Sequence, residues 1–228
     1  MRVLLPVRPD NDCAEAARIL ETLFGRDEVS VLRLFVYRPA EVDQYDPELL
    51  TAFTGVRRLD ERQLQDVIAK TKAHCRALLE QGFHLENAIV VGFPVDKIVA
   101  EARDWRADLI LLHVTREKLR EARVGHLVGS LIDRSPIPVL IYSKASPTIG
   151  KRIGVFGTDA RAWAERIAAR RSGTIVDVAA PQLARALEGE DCDLLVVPAR
   201  HHFAPSLFGS AERRIVRHAG VPVALIPH

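Results

Sequence analysis

Short apolar runs alternate along the chain with longer stretches whose apolar residues recur every three or four positions. That alternation predicts βα units around a parallel sheet buried on both faces. Residues 2–7 (RVLLPV) and 29–37 (VSVLRLFVY) read as the first two strands. Between them, Cys13, Ala16, Ala17, Leu20, Leu23 and Phe24 fall at helical spacing over 12–25, with Asp10 or Asp12 as the cap. Residues 38–59 are polar and broken by Pro39 and Pro47, which predicts a long loop with one helical turn near 47–53. The longest predicted helix runs over 60–81 and stops at Gly82. A strand at 87–91, a helix at 94–105 opened by Pro94, a strand at 107–113, a helix at 124–134 and a strand at 137–142 complete a five-strand unit.

Residues 144–151 (KASPTIGK) read as a linker, after which the pattern restarts. Strands are predicted at 152–156, 174–179, 193–197 and 221–226, with helices at 159–171, 181–188 and 209–218. ADLILLH at 107–113 matches CDLLVVP at 192–198. Gly125 and Pro138, and Gly209 and Pro222, are both thirteen residues apart. Strand, loop, glycine, helix, x-Pro-Val and strand recur in one order, so the chain is an internal repeat. The second copy has one strand–helix pair fewer.

The 228 residues carry a net charge of +2, with 48% hydrophobic and 27% charged residues. That composition fits a packed core and excludes a strongly basic nucleic-acid binder. The three cysteines, Cys13, Cys75 and Cys192, have no paired spacing, so neither a disulfide framework nor a cysteine zinc site is implied. No apolar run approaches the ~20 residues that cross a bilayer, and the start lacks a signal-peptide pattern. A cytoplasmic location with no membrane partner is the expectation.

With Leu5-Pro6-Val7, Gly92-Phe93-Pro94, Ala107–Leu112 and the ending Gly209-Ser210 to Arg217-His218-Ala219-Gly220-Val221-Pro222-Val223, the chain resembles a tandem universal stress protein. The resemblance covers 1–144 as a complete domain and 151–228 as a truncated one. It implies an α/β fold: an open doubly wound parallel sheet of order 3-2-1-4-5, adenine nucleotide alpha-hydrolase-like, in two tandem copies. It also implies pairing through the last strands, here 137–142 with 221–226, which would cover two exposed edges and leave the chain a monomer or a homodimer. A role in the stress response through an unknown protein partner follows from it.

Some members of that family bind ATP through a loop after the fourth strand, Gly-x2-Gly-x9-Gly-[Ser/Thr]. Glycines let backbone approach phosphates, and the last pair opens a helix whose amides bind anions. Such ligands lie beyond the carboxyl ends of the strands. Here the pattern is broken. His113 and Arg116 replace the first two glycines, Gly125 stands one residue early, His126 replaces Ser/Thr, and Arg8 replaces an aspartate after the first strand. In the second copy Pro198 and His201 replace two glycines, Gly209-Ser210 remains, and Gly157 or Thr158 takes the aspartate position. The candidate nucleotide- or anion-binding positions are therefore Pro6, Val7, Arg8, Val36, Gly92, His113, Arg116, Gly125, His126, Gly209 and Ser210. The expectation is degenerate nucleotide sites, with ATP or AMP at the first-copy site as the alternative. Arg8, Arg116, Arg120 and Arg123 could hold a different anion, but solvated loop arginines are the preferred reading.

Other chemistry is sparse. His201-His202 with His113, His126 or His218 would need a carboxylate or cysteine at ligand spacing to suggest a metal, and none is present. No Gly-x-Ser-x-Gly elbow surrounds Ser210, so a nucleophile–base pair is not read and an unrecognised α/β enzyme stays the third alternative. Cys13 and Cys75 read as core thiols, Cys192 as partly exposed at a helix–strand junction, and Trp105 and Trp163 as helix-on-sheet packing. Phe203, Leu207 and Phe208 read as filling the pocket, with a partner-facing role as the alternative. The Arg213-Arg214…Arg217 run complements a helix carboxyl end.

Overall fold

The computed structural model describes residues 1–7, 13–37, 69, 76–114, 122–144, 146–199 and 211–227. The first copy contributes β1 (Arg2–Val7), α1 (Ala14–Phe24), β2 (Ser30–Tyr37), α2 (Arg76–Glu80), β3 (His84–Val91), α3 (Pro94–Asp104), β4 (Leu109–His113), α4 (Ala122–Arg134) and β5 (Val139–Tyr142). The second contributes β6 (Arg152–Val155), α5 (Arg161–Arg171), β7 (Thr174–Asp177), α6 (Leu183–Glu188), β8 (Leu194–Ala199), α7 (Ala211–His218) and β9 (Val223–Pro227). The nine strands among the described residues join one sheet in the order β3-β2-β1-β4-β5-β9-β8-β6-β7.

The first copy thus has the expected 3-2-1-4-5 order. The second has 2-1-4-5, because β6, β7, β8 and β9 correspond to its first, second, fourth and fifth strands. The missing pair is the third strand with its preceding helix. Every pairing within a copy is parallel; only β5 and β9 run antiparallel, with Val139 opposite Leu225, Leu140 opposite Ala224 and Ile141 opposite Val223. The last strands therefore pair across the two copies as expected.

Alternation along the strands divides the core into two layers. One joins Val3, Leu5, Val31, Leu109 and Leu111 to α1, Leu78 of α2 and α5. The other joins Leu4, Leu32, Ile110, Val139 and Leu195 to α3, α4, α6 and α7. Trp163 lies in the first layer and Trp105 packs against the second, in the helix-on-sheet role expected of both. Arg33 on β2 is 1% exposed, the largest fully buried side chain among the described residues.

Helix ends follow local chemistry. Gly82, at φ +81°, ends α2: its amide donates to Leu79 O while that of Phe83 donates to Leu78 O. Leu78 and Phe83 are both buried, the hydrophobic contact that accompanies this motif. Pro94 occupies the first turn of α3. α1 differs from expectation: Cys13, without a side-chain capping bond, holds the cap position assigned to Asp10 or Asp12. Burial of Cys13 decides this start, since its side chain belongs to the core. The predicted loop over 38–59 and most of the predicted helix over 60–81 lie outside the described residues.

The linker is a packed element. Ile149 is fully buried between the copies. Gly150, at φ +81°, touches both sides: an added Cβ would stand 2.9 Å from Leu23 Cδ2 of α1 and 3.1 Å from Arg171 Cγ of α5. Arg170 donates to Phe24 O and pairs with Glu28, and Arg171 donates to Ile149 O and Pro147 O. Asp193 accepts the amides of Gly150 at 2.8 Å and Arg152 at 3.1 Å.

Asp193 also reveals the repeat in side-chain detail. Its amide donates to Arg152 O, and the Arg152 guanidinium donates to Glu190 O. In the first copy the Asp108 amide donates to Arg2 O, its carboxylate accepts the Arg2 amide, and the Arg2 guanidinium donates to Trp105 O. The Asp-Leu motif before each fourth strand therefore fastens it to the start of the first strand.

Gly150→Ala is expected to lose about 2 kcal/mol or more, about 1–2 kcal/mol from the left-handed backbone alone and the rest from the Leu23 contact. Denaturant unfolding measures it, and an unchanged midpoint contradicts the packing. Burial pushes the Asp193 carboxyl above its ordinary range, although the amides of Arg152, Gly150 and Lys151 pull it down. The folded state then binds this proton more tightly, so the stability it contributes is present in acid and is lost as pH rises through the raised value. Wild type should therefore lose stability relative to Asp193→Asn as pH is raised from acid toward neutrality. A difference independent of pH contradicts the assignment.

Candidate functional site

Direction of crossing reverses between β1 and β4 in the first copy and between β6 and β8 in the second. These are the points where an open α/β sheet leaves a crevice beyond its carboxyl ends. Pro6 and Val7 end β1, opposite Leu34 and Phe35 of β2. Val36, half-buried, stands opposite Val90 near the end of β3. Gly92 follows β3 at φ +147°, and the Lys97 side chain lies over it, 2.8 Å from where a Cβ would stand. The β1–β4 register, Val3 with Leu109 and Leu4 with Ile110, continues to bring Val7 level with His113.

His113 is held in place. Its Nε2 donates to Ser143 O at 3.2 Å, and its ring lies 5.1 Å from that of Tyr142 at a tilt of 46°. An imidazole braced against β5 thus occupies the strand end where the ATP-binding pattern has its first glycine. The second copy repeats this with different chemistry. The β6–β8 register continues to Gly157 and Pro198, and a Cβ on Gly157, at φ +93°, would meet Pro198 Cγ at 3.0 Å. A proline ring stands against the glycine at that strand end.

Beside it, Val155, Gly157, Thr158, Arg161, Asp177, Val178 and Ala179 line a hollow of about 280 Å³. Its cation is already engaged, because Arg161 pairs with Asp177 at 2.6 Å and with Glu165 at 3.2 Å. Two ion pairs on one guanidinium leave little of it for an incoming anion.

The helix after β4 begins at Ala122, so Gly125 and His126 lie inside α4 rather than at its mouth. Gly125 is not the residue that opens this helix, contrary to the loop spacing. Pro6, Val7, Val36, Gly92 and His113 gather at one end of the sheet. Arg8, Arg116, Gly209, Ser210, His201, His202, Phe203, Leu207 and Phe208 lie outside the described residues. Among the described residues, no group of three or more His, Cys, Asp or Glu could hold a metal. No described helix is long and apolar enough to cross a membrane.

Cys192 corrects an expectation. It is 0% exposed rather than partly exposed, its Sγ donates to Ala186 O at 3.5 Å, and burial pushes the thiol up to about 11. A Cβ on Gly154 would stand 2.9 Å from its sulfur, so the thiol fills space left by a glycine on β6. Its place in the repeat is that of Ala107, also buried, and this correspondence was the available signal for burial. Reasoning from sequence also missed the Tyr142 support for His113 and the contact of Pro198 with Gly157. Both are readable only once register sets residues level.

A doubly wound sheet repeated in tandem, with its crevices at the carboxyl ends of the first and fourth strands, defines the class. The model of the universal stress protein family matches residues 1–143 and 150–227, and the chain belongs to that family. Its structure is similar to that of a universal stress protein from Archaeoglobus fulgidus, with a TM-score of 0.74 at 13% identity, covering 99% of this chain and 98% of the other. It is also similar to a functionally unknown protein from Pseudomonas aeruginosa, at 0.63 and 14%, covering 99% and 92%. A putative universal stress protein from the same species gives 0.62 and 14%, with the same coverage. At these identities the likeness is one of fold. A comparison of the sequence with curated proteins gave no match.

In the native protein at pH 8, Cys192 is expected to react with iodoacetamide about a hundredfold more slowly than a free thiol, since a thiolate two pKa units harder to form is about a hundredfold rarer. Peptide mapping after timed labelling measures the rate. Labelling at the free-thiol rate would place the sulfur at the surface.

Proposed function

We propose that this protein is a non-catalytic binding and regulatory module of the stress response whose two nucleotide sites are degenerate. It acts in the cytoplasm through contacts with a protein partner, as two units, 1–144 and 151–228. The observation that carries this reading is the ring at the end of the fourth strand in each copy. His113, fixed by Ser143 O and Tyr142, and Pro198, seated on Gly157, stand where a phosphate loop needs bare backbone. A side chain there excludes a phosphate sterically, whereas glycine admits it. The engaged Arg161 adds to the argument in the second copy.

The alternative is an ATP- or AMP-binding switch at the first-copy site, using Pro6, Val7, Arg8, Val36, Gly92, His113, Arg116, Gly125 and His126. What favours it is the glycine at Gly92 beside the open ends of β1 and β2. One pair of measurements separates the two. Freshly purified protein is denatured and its released small molecules are read by mass spectrometry, and melting is followed with ATP or AMP up to 5 mM as a test concentration of about a hundred times a 50 μM Kd. A binder of that affinity would gain about 2.7 kcal/mol. The expected outcome is no released nucleotide and an unchanged melting temperature. Near-equimolar nucleotide, or a rise growing with ligand concentration, replaces the proposal with the switch.

A further inference from the structure

On the face carrying α3, α4, α6 and α7, the two copies treat the same seam differently. In the first copy α3 and α4 pack side by side, and Arg134 at the end of α4 pairs with Asp96 of α3. In the second copy the seam between α6 and α7 is open as a groove of about 510 Å³. That volume lies within the range of natural small-molecule sites, about 300–1,000 Å³. Its apolar surface comes from Phe156, Leu183, Leu187 and Ile215. The Gly220 amide donates to Leu187 O at 2.7 Å and so ties the end of α6 to the turn after α7.

The charges around it are uneven. Arg214 and His218 stand one turn apart on α7 and both line the groove. Aligning Gly125 with Gly209 sets Ser130 against Arg214 and Arg134 against His218. The position that closes the seam with an ion pair in the first copy therefore carries a histidine in the second, and a cation is added one turn before it. Among the described residues, neither Arg214 nor His218 has a carboxylate within ion-pair distance. Glu188 lines the α6 side of the groove.

We propose that this groove binds an amphipathic monoanion, an acyl chain ending in a single carboxylate. The chain lies along Leu183, Leu187, Phe156 and Ile215, and the head is received by Arg214 and His218. A guanidinium matches a carboxylate in a two-pronged bond. Glu188 on the opposite side sets a repulsion against further negative charge, which selects a monoanion over a nucleotide or other polyanion. The site lies along two helices on one face of the sheet and reaches the end of β6 at Phe156, the residue before Gly157. All its lining residues belong to the second copy, so it does not depend on the first-copy crevice taking a nucleotide.

Calorimetric titration of the full chain with sodium decanoate below its micelle range tests this, with decanol and decyltrimethylammonium as probes of chain and charge. Decanoate is expected to bind at one site, with the neutral and cationic probes at least tenfold weaker. The exposed pair Arg214→Gln and His218→Gln should weaken decanoate at least tenfold at an unchanged melting temperature. Ala184→Trp, at an exposed position lining the groove, should abolish binding by filling it. Equal binding of all three probes, undiminished binding by either variant, or no binding at millimolar decanoate overturns the proposal.

Discussion

Three antiparallel residue pairs between β5 and β9 hold the architecture together. Without them each copy would end in an open edge of fully buried type, Val139 to Tyr142 on one side and Val223 to Leu225 on the other. Exposed, such apolar edges are templates for unwanted pairing. Joined, they turn two half-sheets into one and fix which helices meet. The reversal keeps equivalent faces together, so α1 and α5 approach on one side and α4 and α7 on the other. Ile149 and Gly150 then fill the space between α1 and α5, and the short linker acts as core. Both layers of apolar packing run unbroken across this seam.

Much of this was legible in the residues. Parallel strands buried on both faces are continuous apolar runs, so LILLH and LLVVPA declared themselves whatever surrounded them. β3 was harder. It lies at the sheet edge with an exposed His84, Glu86 and Asn87, and polar residues concealed its first half, so it begins at 84 rather than 87. Helix starts were less readable than helix bodies. Glycine at 125 suggested a mouth, yet α4 begins three residues earlier, because one glycine costs a helix only about 1 kcal/mol and the apolar face outweighs it. Cys192 was misread because its neighbours are polar, while what buries it is the glycine opposite, 38 positions away in sequence. Pro6, Val7, Val36, Gly92 and His113 were readable as residues at the strand ends. How His113 is braced by Tyr142 and Ser143 was not, since that depends on β4 and β5 lying side by side.

Shortening of the second copy is more than a deletion at one edge. Without a third strand, β7 is the outermost strand, with four residues where β3 has eight. Its crossover helix α6 has six residues where α3 has eleven, and it does not close against α7 as α3 closes against α4. The two copies thus share a backbone plan while presenting unlike surfaces. The last strands of the two copies cover each other, while the surfaces this covering leaves free differ between the copies.

The paired anchors at Arg2 with Asp108 and Arg152 with Asp193 have a consequence for how such a chain can change over time. Both fasten the amino-terminal ends of the strands, opposite to the end where the crevices lie. Rigidity is concentrated at one pole and chemical variety at the other. Residues at the crevice pole, such as the histidine in one copy and the proline in the other, can differ without loosening the clasp that aligns the strands. The fold can therefore drift in specificity while inheriting its geometry intact.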